Sequence, residues 1–206
     1  RPYLADARIL AGVNEEGRMV KSRLLAAAFT TLFCVALAWP VVAGEFPQTR
    51  QGWQVGFGVG GGSAGISDAT SREGGAAGDF HVGYAFQPQL AVELDSNFWT
   101  KSDSGVDLTF SVVSAAISCY PGAQGLVLRG GVGLGDVSIS ASGGGSSLTA
   151  SESGLGVTVG AGYEFRVRRT FAIGPQVDFG WVSLSGGSVN YVNGALGFHW
   201  YFIPQK

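Results

Sequence analysis

The residues in this sequence that could do chemistry are two histidines, a handful of charged groups and one glycine pattern. His81 and His199 are the only histidines. Nucleophilic catalysis would need a hydroxyl or thiol and a carboxylate placed around one of them, and geometry rather than composition defines such a site. Two histidines alone are also too few for a catalytic metal without carboxylate ligands. Gly56, Gly58 and Gly61 formally satisfy G-x-G-x-x-G. That motif binds a dinucleotide only where a helix starts, and 63–75 has no helical period. No catalytic, cofactor-binding or metal-ligating residue is therefore assigned, and no cofactor is expected. Asp79, Glu93, Asp95, Arg129, Glu164, Arg166 and Asp178 fall on one parity of alternating runs. Opposite charges held in a low dielectric persist only when they pair. The expectation is a structural interior cluster that satisfies itself, with a gated ion path or a catalytic carboxylate pair as the functional alternative.

The elements that position these groups have the pattern of strands. From Trp53 onward, period-two alternation replaces any helical period and is punctuated by Gly, Ser, Asp and Pro clusters. Eight segments result: 52–64, 75–86, 90–101, 107–120, 125–139, 154–167, 171–184 and 189–202. In the first, Trp53, Val55, Phe57 and Val59 oppose Gln54, Gly56, Gly58 and Gly60. In the sixth, Leu155, Val157, Val159 and Ala161 oppose Gly156, Thr158, Gly160 and Gly162. The fourth is the least clean, and its apolar face is read as Leu108, Phe110, Val112 and Tyr120 together with Ser114 and Ser118. Connections alternate between tight turns (87–89, 121–124, 168–170) and longer polar stretches (65–74, 102–106, 140–153), with 185–188 a short exception. This is the layout of an up-and-down barrel with short turns on one side. The stretches 65–74 and 140–153 are read as loops.

The polar side of the strands decides which face meets lipid. A water-soluble surface carries roughly 25–35% charged residues, whereas here that side is mostly Gly, Ala, Ser and Thr. Those small residues suit the crowded lumen of a narrow barrel, so the apolar face is assigned to lipid. Strand length agrees, since a tilted membrane strand needs roughly 9–11 residues. Tyr84, Phe86, Tyr120, Tyr163, Phe165, Phe171, Trp200 and Phe202 fall beside the short turns or at the last strand's end, with Trp99 and Trp181 near the other end. They are expected to form aromatic girdles. No water reaches a strand edge in hydrocarbon, so the sheet must close. Eight strands leave an interior that side chains fill. The fold class expected is all-β: an eight-stranded antiparallel up-and-down transmembrane β-barrel preceded by a cleavable signal peptide.

Export is written near the start. Met19 is followed by the basic Lys21 and Arg23, the apolar run 24–37, and the small residues Val41-Val42-Ala43. That layout predicts a signal peptide over 19–43, with an uncleaved anchor as the alternative. Residues 1–18 then form an upstream extension, and 44–206 the barrel. Cys34 would leave with the signal, so Cys119 remains alone and is expected to be a small packed hydrophobe. The whole chain has 206 residues, 34 of them Gly, 14% charged residues and a net charge of −2. A nucleic-acid partner would need a basic face and is excluded.

Trp53-Gln54-Val55-Gly56-Phe57-Gly58-Val59-Gly60-Gly61-Gly62, Leu128-Arg129-Gly130-Gly131-Val132-Gly133-Leu134-Gly135 and the aromatic last strand resemble the small outer-membrane β-barrel superfamily, which includes OmpA-like and OmpX-like barrels. The resemblance covers 52–202. It implies a location in the bacterial outer membrane, contact with outer-membrane lipid, and the barrel-assembly machinery as a partner in biogenesis. Members include structural stabilisers, adhesins and a few lipid-modifying enzymes. The sequence departs from the family pattern in two ways: Ile203-Pro204-Gln205-Lys206 follows Phe202, and no peptidoglycan-binding domain follows the barrel. The lipid A deacylase-type barrels carry a Ser two residues after the catalytic His. Here His81 is followed by Val82-Gly83 and His199 by Trp200-Tyr201. The role expected is non-enzymatic, structural or surface-interacting, in a monomer whose outer loops either meet an extracellular partner or serve as plain solvent-exposed linkage. A narrow pore, a lipid-modifying enzyme and a secreted soluble β-sandwich are the alternatives.

Overall fold

Alternating apolar and small polar residues build strands because successive side chains leave a pleated backbone on opposite faces. The computed structural model describes residues 50–66, 71–103, 105–123, 125–143 and 146–202. The signal peptide expected at 19–43 and the extension 1–18 lie outside the described residues. The barrel belongs to the second of the chain's two units, Gly44–Lys206. Its strands are β1 Gly52–Ile66, β2 Glu73–Gln87, β3 Leu90–Asp103, β4 Val106–Cys119, β5 Leu126–Gly143, β6 Ser146–Tyr163, β7 Phe165–Arg168, β8 Phe171–Leu184 and β9 Gly187–Phe202.

Every pairing is antiparallel, β1 bonds both β2 and β9, and β6 bonds both β5 and β8, which closes the sheet. β7 continues β6 in the same register against β8: Gly162 pairs with Gln176 and Phe165 with Ile173. The interruption falls opposite Pro175, which has no N–H to give the ladder. It also falls opposite Gly174, where a Cβ would lie 1.7 Å from the Tyr163 carbonyl oxygen. β6 and β7 are one stave, so the barrel has eight.

Burial alternates along each stave. On β3, Ala91, Glu93, Asp95, Asn97 and Trp99 are buried while Val92, Leu94 and Phe98 are exposed. The eight expected segments map onto the eight staves, and the expected inward charges are inside.

The structure corrects the expectations at four places. On β4 the inward row is Phe110, Val112, Ser114, Ala116, Ser118 and Tyr120, and Val113, Ile117 and Cys119 point out. The face read as lipid-facing is the interior, because apolar residues occupy both faces near the long-hairpin end. Trp99 and Tyr120 are not girdle residues but lie inside, one in each of the two apolar clusters of the lumen, at 0% and 2% exposure. Cys119 is exposed rather than packed. Finally, 140–153 is mostly strand: Ser138, Ser140, Thr149 and Ser151 keep the period of two, and the β5–β6 ladder runs to Gly143 and Ser146.

Candidate functional site

The inward rows stack into three layers. Toward the long hairpins lies an apolar layer of Ala64, Ala77, Trp99, Phe110, Val112, Val182, Val189 and Tyr191. Trp99 and Phe110 stack there with ring centroids 5.2 Å apart. At the short-turn end Ala85, Ala91, Tyr120 and Val127 form a second apolar cluster. Polar side chains fill the remaining interior.

Arg129 of β5 is the centre of the polar layer. Its Nε lies 3.0 Å from Glu93 Oε2, and its Nη1 lies 3.4 Å from Asp95 Oδ1 and 4.0 Å from Asp79 Oδ2. Ser118 Oγ donates to Glu93 Oε2 at 2.8 Å and accepts from Arg129 Nε at 3.3 Å. Gln54 Nε2 donates to Glu93 Oε1 and, at 3.2 Å, to the Tyr120 hydroxyl. Charge-assisted bonds of this kind are the strong ones, and in a low-dielectric interior each also satisfies a group that would otherwise be costly to bury.

A chain of contacts runs from there toward the short turns. His81 Nδ1 is 3.3 Å from Asp79 Oδ2, and His81 Nε2 is 3.2 Å from His199 Nδ1. His199 Nδ1 is 3.9 Å from Glu164 Oε1. Arg50 holds Glu164 Oε2 through Nη2 at 2.8 Å and Nε at 3.2 Å, and Tyr201 donates its hydroxyl to the same oxygen. The Arg50 guanidinium lies 4.0 Å over the Tyr120 ring. Gly56 pairs with His81 on one side and His199 on the other. A Cβ at position 56 would sit 2.4 Å from His81 Nε2 and 2.9 Å from His199 Nδ1, so the imidazoles meet only over a glycine.

All seven residues of the predicted cluster are buried, but they do not form one network. Asp79, Glu93 and Asp95 gather on Arg129, whereas Glu164 belongs to Arg50. Arg166 reaches no carboxylate among the described residues: it lies 3.9 Å over the Tyr201 ring, and its Nη1 donates to the Arg169 carbonyl at 3.2 Å. Asp178 makes a long contact, 3.5 Å from Gln176 Nε2, beside a cavity of about 10 Å³. Sequence reasoning missed Arg50, which precedes the first segment. It also passed over Gln54, Asn97, Gln176 and Tyr201, although their parity placed them inside.

Residues 25–202 match the family model for the outer membrane protein beta-barrel domain. The chain belongs to that family. No curated protein matches it in sequence. Among solved structures it is similar to Neisserial surface protein A, at 16% identity and a TM-score of 0.59, over 74% of this chain and 99% of that one. It is also similar to Ail, the attachment invasion locus protein of Yersinia pestis, solved with the heparin analogue sucrose octasulfate. That match has 16% identity and a TM-score of 0.56, over 74% of this chain and 100% of the other. An outer membrane β-barrel domain places Val59, Phe80, Leu94, Val132 and Phe179 against lipid, which explains why these apolar side chains are 41–57% exposed. The bacterial outer membrane is its location.

Proposed function

We propose that this protein is a sealed, non-enzymatic outer-membrane barrel that presents the β5–β6 hairpin to an extended segment of an extracellular protein. The observation that carries this reading is an edge with no partner strand among the described residues. β6 starts at Ser146, but its pairing with β8 starts only at Leu155↔Ser183, and β8 ends at Leu184. Residues 146–153 therefore run beyond the β8–β9 hairpin, with one row of backbone N–H and C=O groups facing away from β5. Such an edge pairs readily with an added strand. It has neither Pro nor Lys to discourage that. Leu148 and Ile139 share its lumen-side parity and are 76% and 47% exposed, so side-chain anchors accompany the backbone.

The apolar layer around Trp99 supports a closed lumen rather than a narrow pore, because ions do not cross a packed hydrophobic constriction. The non-enzymatic reading rests on the imidazoles: His81 bonds Asp79 and His199, and neither ring contacts a hydroxyl among the described residues. Ail was solved with a polysulfated sugar, but the basic groups described on this barrel's outer side are engaged, Arg72 by Ser63 and Asn190 and Lys101 by Glu73. A peptide is thus favoured over a polyanion. The barrel-assembly machinery is the expected partner in biogenesis, and the filled interior needs no second copy.

The test uses cells displaying the barrel on a surface coated with reduced, carboxymethylated serum albumin, an extended polypeptide. Wild-type cells adhere, and cells carrying Thr149→Pro and Ser151→Pro do not, while both barrels keep the boiling-dependent shift in electrophoretic mobility. Equal adherence by the two would refute the edge.

A further inference from the structure

The geometry points to a divalent-cation site inside the barrel, formed by Asp79 and His81 of β2 with Asp95 and Asn97 of β3. These four side chains occupy two consecutive inward positions on each of two neighbouring strands. The register sets Asp79 opposite Asn97 and His81 opposite Asp95, making a square of potential ligands. One ligand atom from each of Asp79, His81 and Asp95 lies within 4.8 Å of the other two, and all three residues are buried.

The fourth corner supplies an independent sign. Asn97 is 1% exposed, its Nδ2 donates to Asp95 Oδ2, and its Oδ1 has no hydrogen-bond partner. That oxygen belongs to the same carboxamide whose nitrogen donates to Asp95, and the register sets Asn97 opposite Asp79. A buried carbonyl oxygen without a donor is costly, and a cation removes the cost.

Charge points the same way. Among the described residues, the buried carboxylates Asp79, Glu93 and Asp95 share the guanidinium of Arg129, and the buried Asp178 lines the same small cavity as that arginine. Arg129 is closest to Glu93 and reaches Asp79 only at 4.0 Å. Buried charge of one sign demands a counter-charge. His199 completes the arrangement, since its Nδ1 against His81 Nε2 at 3.2 Å orients the imidazole and turns His81 Nδ1, 3.3 Å from Asp79 Oδ2, toward the proposed ligands. One imidazole nitrogen among oxygen donors suits Zn²⁺ or Mn²⁺ better than Mg²⁺. The apolar layer closes the outer end, so the ion is taken up as the barrel folds.

Purified barrel is refolded with Zn²⁺ or with Mn²⁺, desalted and analysed for metal, with mobility shift as the check of folding. About one ion per folded chain is expected. Retention should fall by about ten-fold or more in Asp95→Asn and His81→Gln and stay unchanged in Glu73→Gln, which removes an exterior carboxylate. Should the interior variants not fold, the wild type decides alone: with ¹⁵N-labelled imidazoles, Zn²⁺ shifts the His81 Nδ1 resonance. Absence of retained Zn²⁺ and Mn²⁺, equal retention by folded His81→Gln, or an unmoved His81 resonance would each overturn the site.

Discussion

His81 and His199 meet nitrogen to nitrogen, Nε2 to Nδ1 at 3.2 Å, across the bare backbone of Gly56. A hydrogen bond between those atoms requires one ring to donate and the other to accept. The contact ties β2 to β9 over the strand between them and depends on that strand having no side chain there. Gly56→Ala is expected to push the rings apart and to destabilise the barrel by about 1–3 kcal/mol, the usual cost of overpacking. Urea unfolding from lipid vesicles measures it, and an unmoved midpoint would contradict the contact.

Arg129 and Arg166 are both buried arginines on inward parity, yet they should behave differently. Arg129→Ala strips the counter-charge from Glu93 and Asp95 and should cost about 3–5 kcal/mol. Arg166 touches a ring and a backbone carbonyl instead of a carboxylate. Arg166→Ala should therefore cost clearly less in the same unfolding experiment. Equal losses would mean that the network is apportioned wrongly.

Leu94 is 57% exposed at mid-strand while the next residue, Asp95, is fully buried. Leu94→Arg should destabilise the folded barrel in bilayers by about 2–4 kcal/mol, the cost of Arg near the bilayer midplane. A neutral result there would place that face in water instead of lipid.

Trp99 and Phe110 stack in the apolar layer of the lumen nearest the long hairpins. Wild-type protein in planar bilayers should give no single-channel steps. Trp99→Ala with Phe110→Ala, which empties the stack, should give small ones. Steps of equal size from both proteins would show that the stack is not the barrier.

Glu152 stands at the base of the free edge, where the Ser185 backbone N–H at 2.8 Å and the Ser185 hydroxyl both donate to Oε1. The hydroxyl and then the backbone N–H hold its carboxyl below the usual carboxylate range. A depressed folded-state pKa means the contribution is present above the unfolded pKa and lost as pH falls through the folded one. Protection of the Ser185 amide against hydrogen exchange should therefore weaken on acidification below the ordinary carboxylate range. In Glu152→Gln that pH dependence should vanish, and its persistence would assign the protection to another group.

Much of the barrel was legible because alternation is a local property. Leu94 beside Asp95 announces two faces whatever the rest of the chain does, and Trp53, Val82 and Val157 mark the lipid side of their strands in the same way. β4 failed that test because Phe110 and Val112 pack into an apolar layer of the lumen while Val113 and Ile117 meet lipid. Hydrophobicity cannot sort two apolar faces, and only the register, Asn97 against Val112, does so. The hairpin at 140–153 failed for a related reason: Ser and Thr at alternate positions look like a loop by composition and like a strand by period.

The sequence by itself determined the class of this protein: strands, their number, the lipid face of most of them and the inward side of the carboxylates in the cluster, since each comes from spacing along one chain. Tertiary structure alone decided who meets whom inside. Arg50 finding Glu164, Arg166 stacking on Tyr201, two distant histidines sharing one glycine, and Asn97 standing opposite Asp79 beside the His81–Asp95 pair all depend on strand register and closure. Those lateral offsets are set by the whole ring of hydrogen bonds, and no local run of residues encodes them.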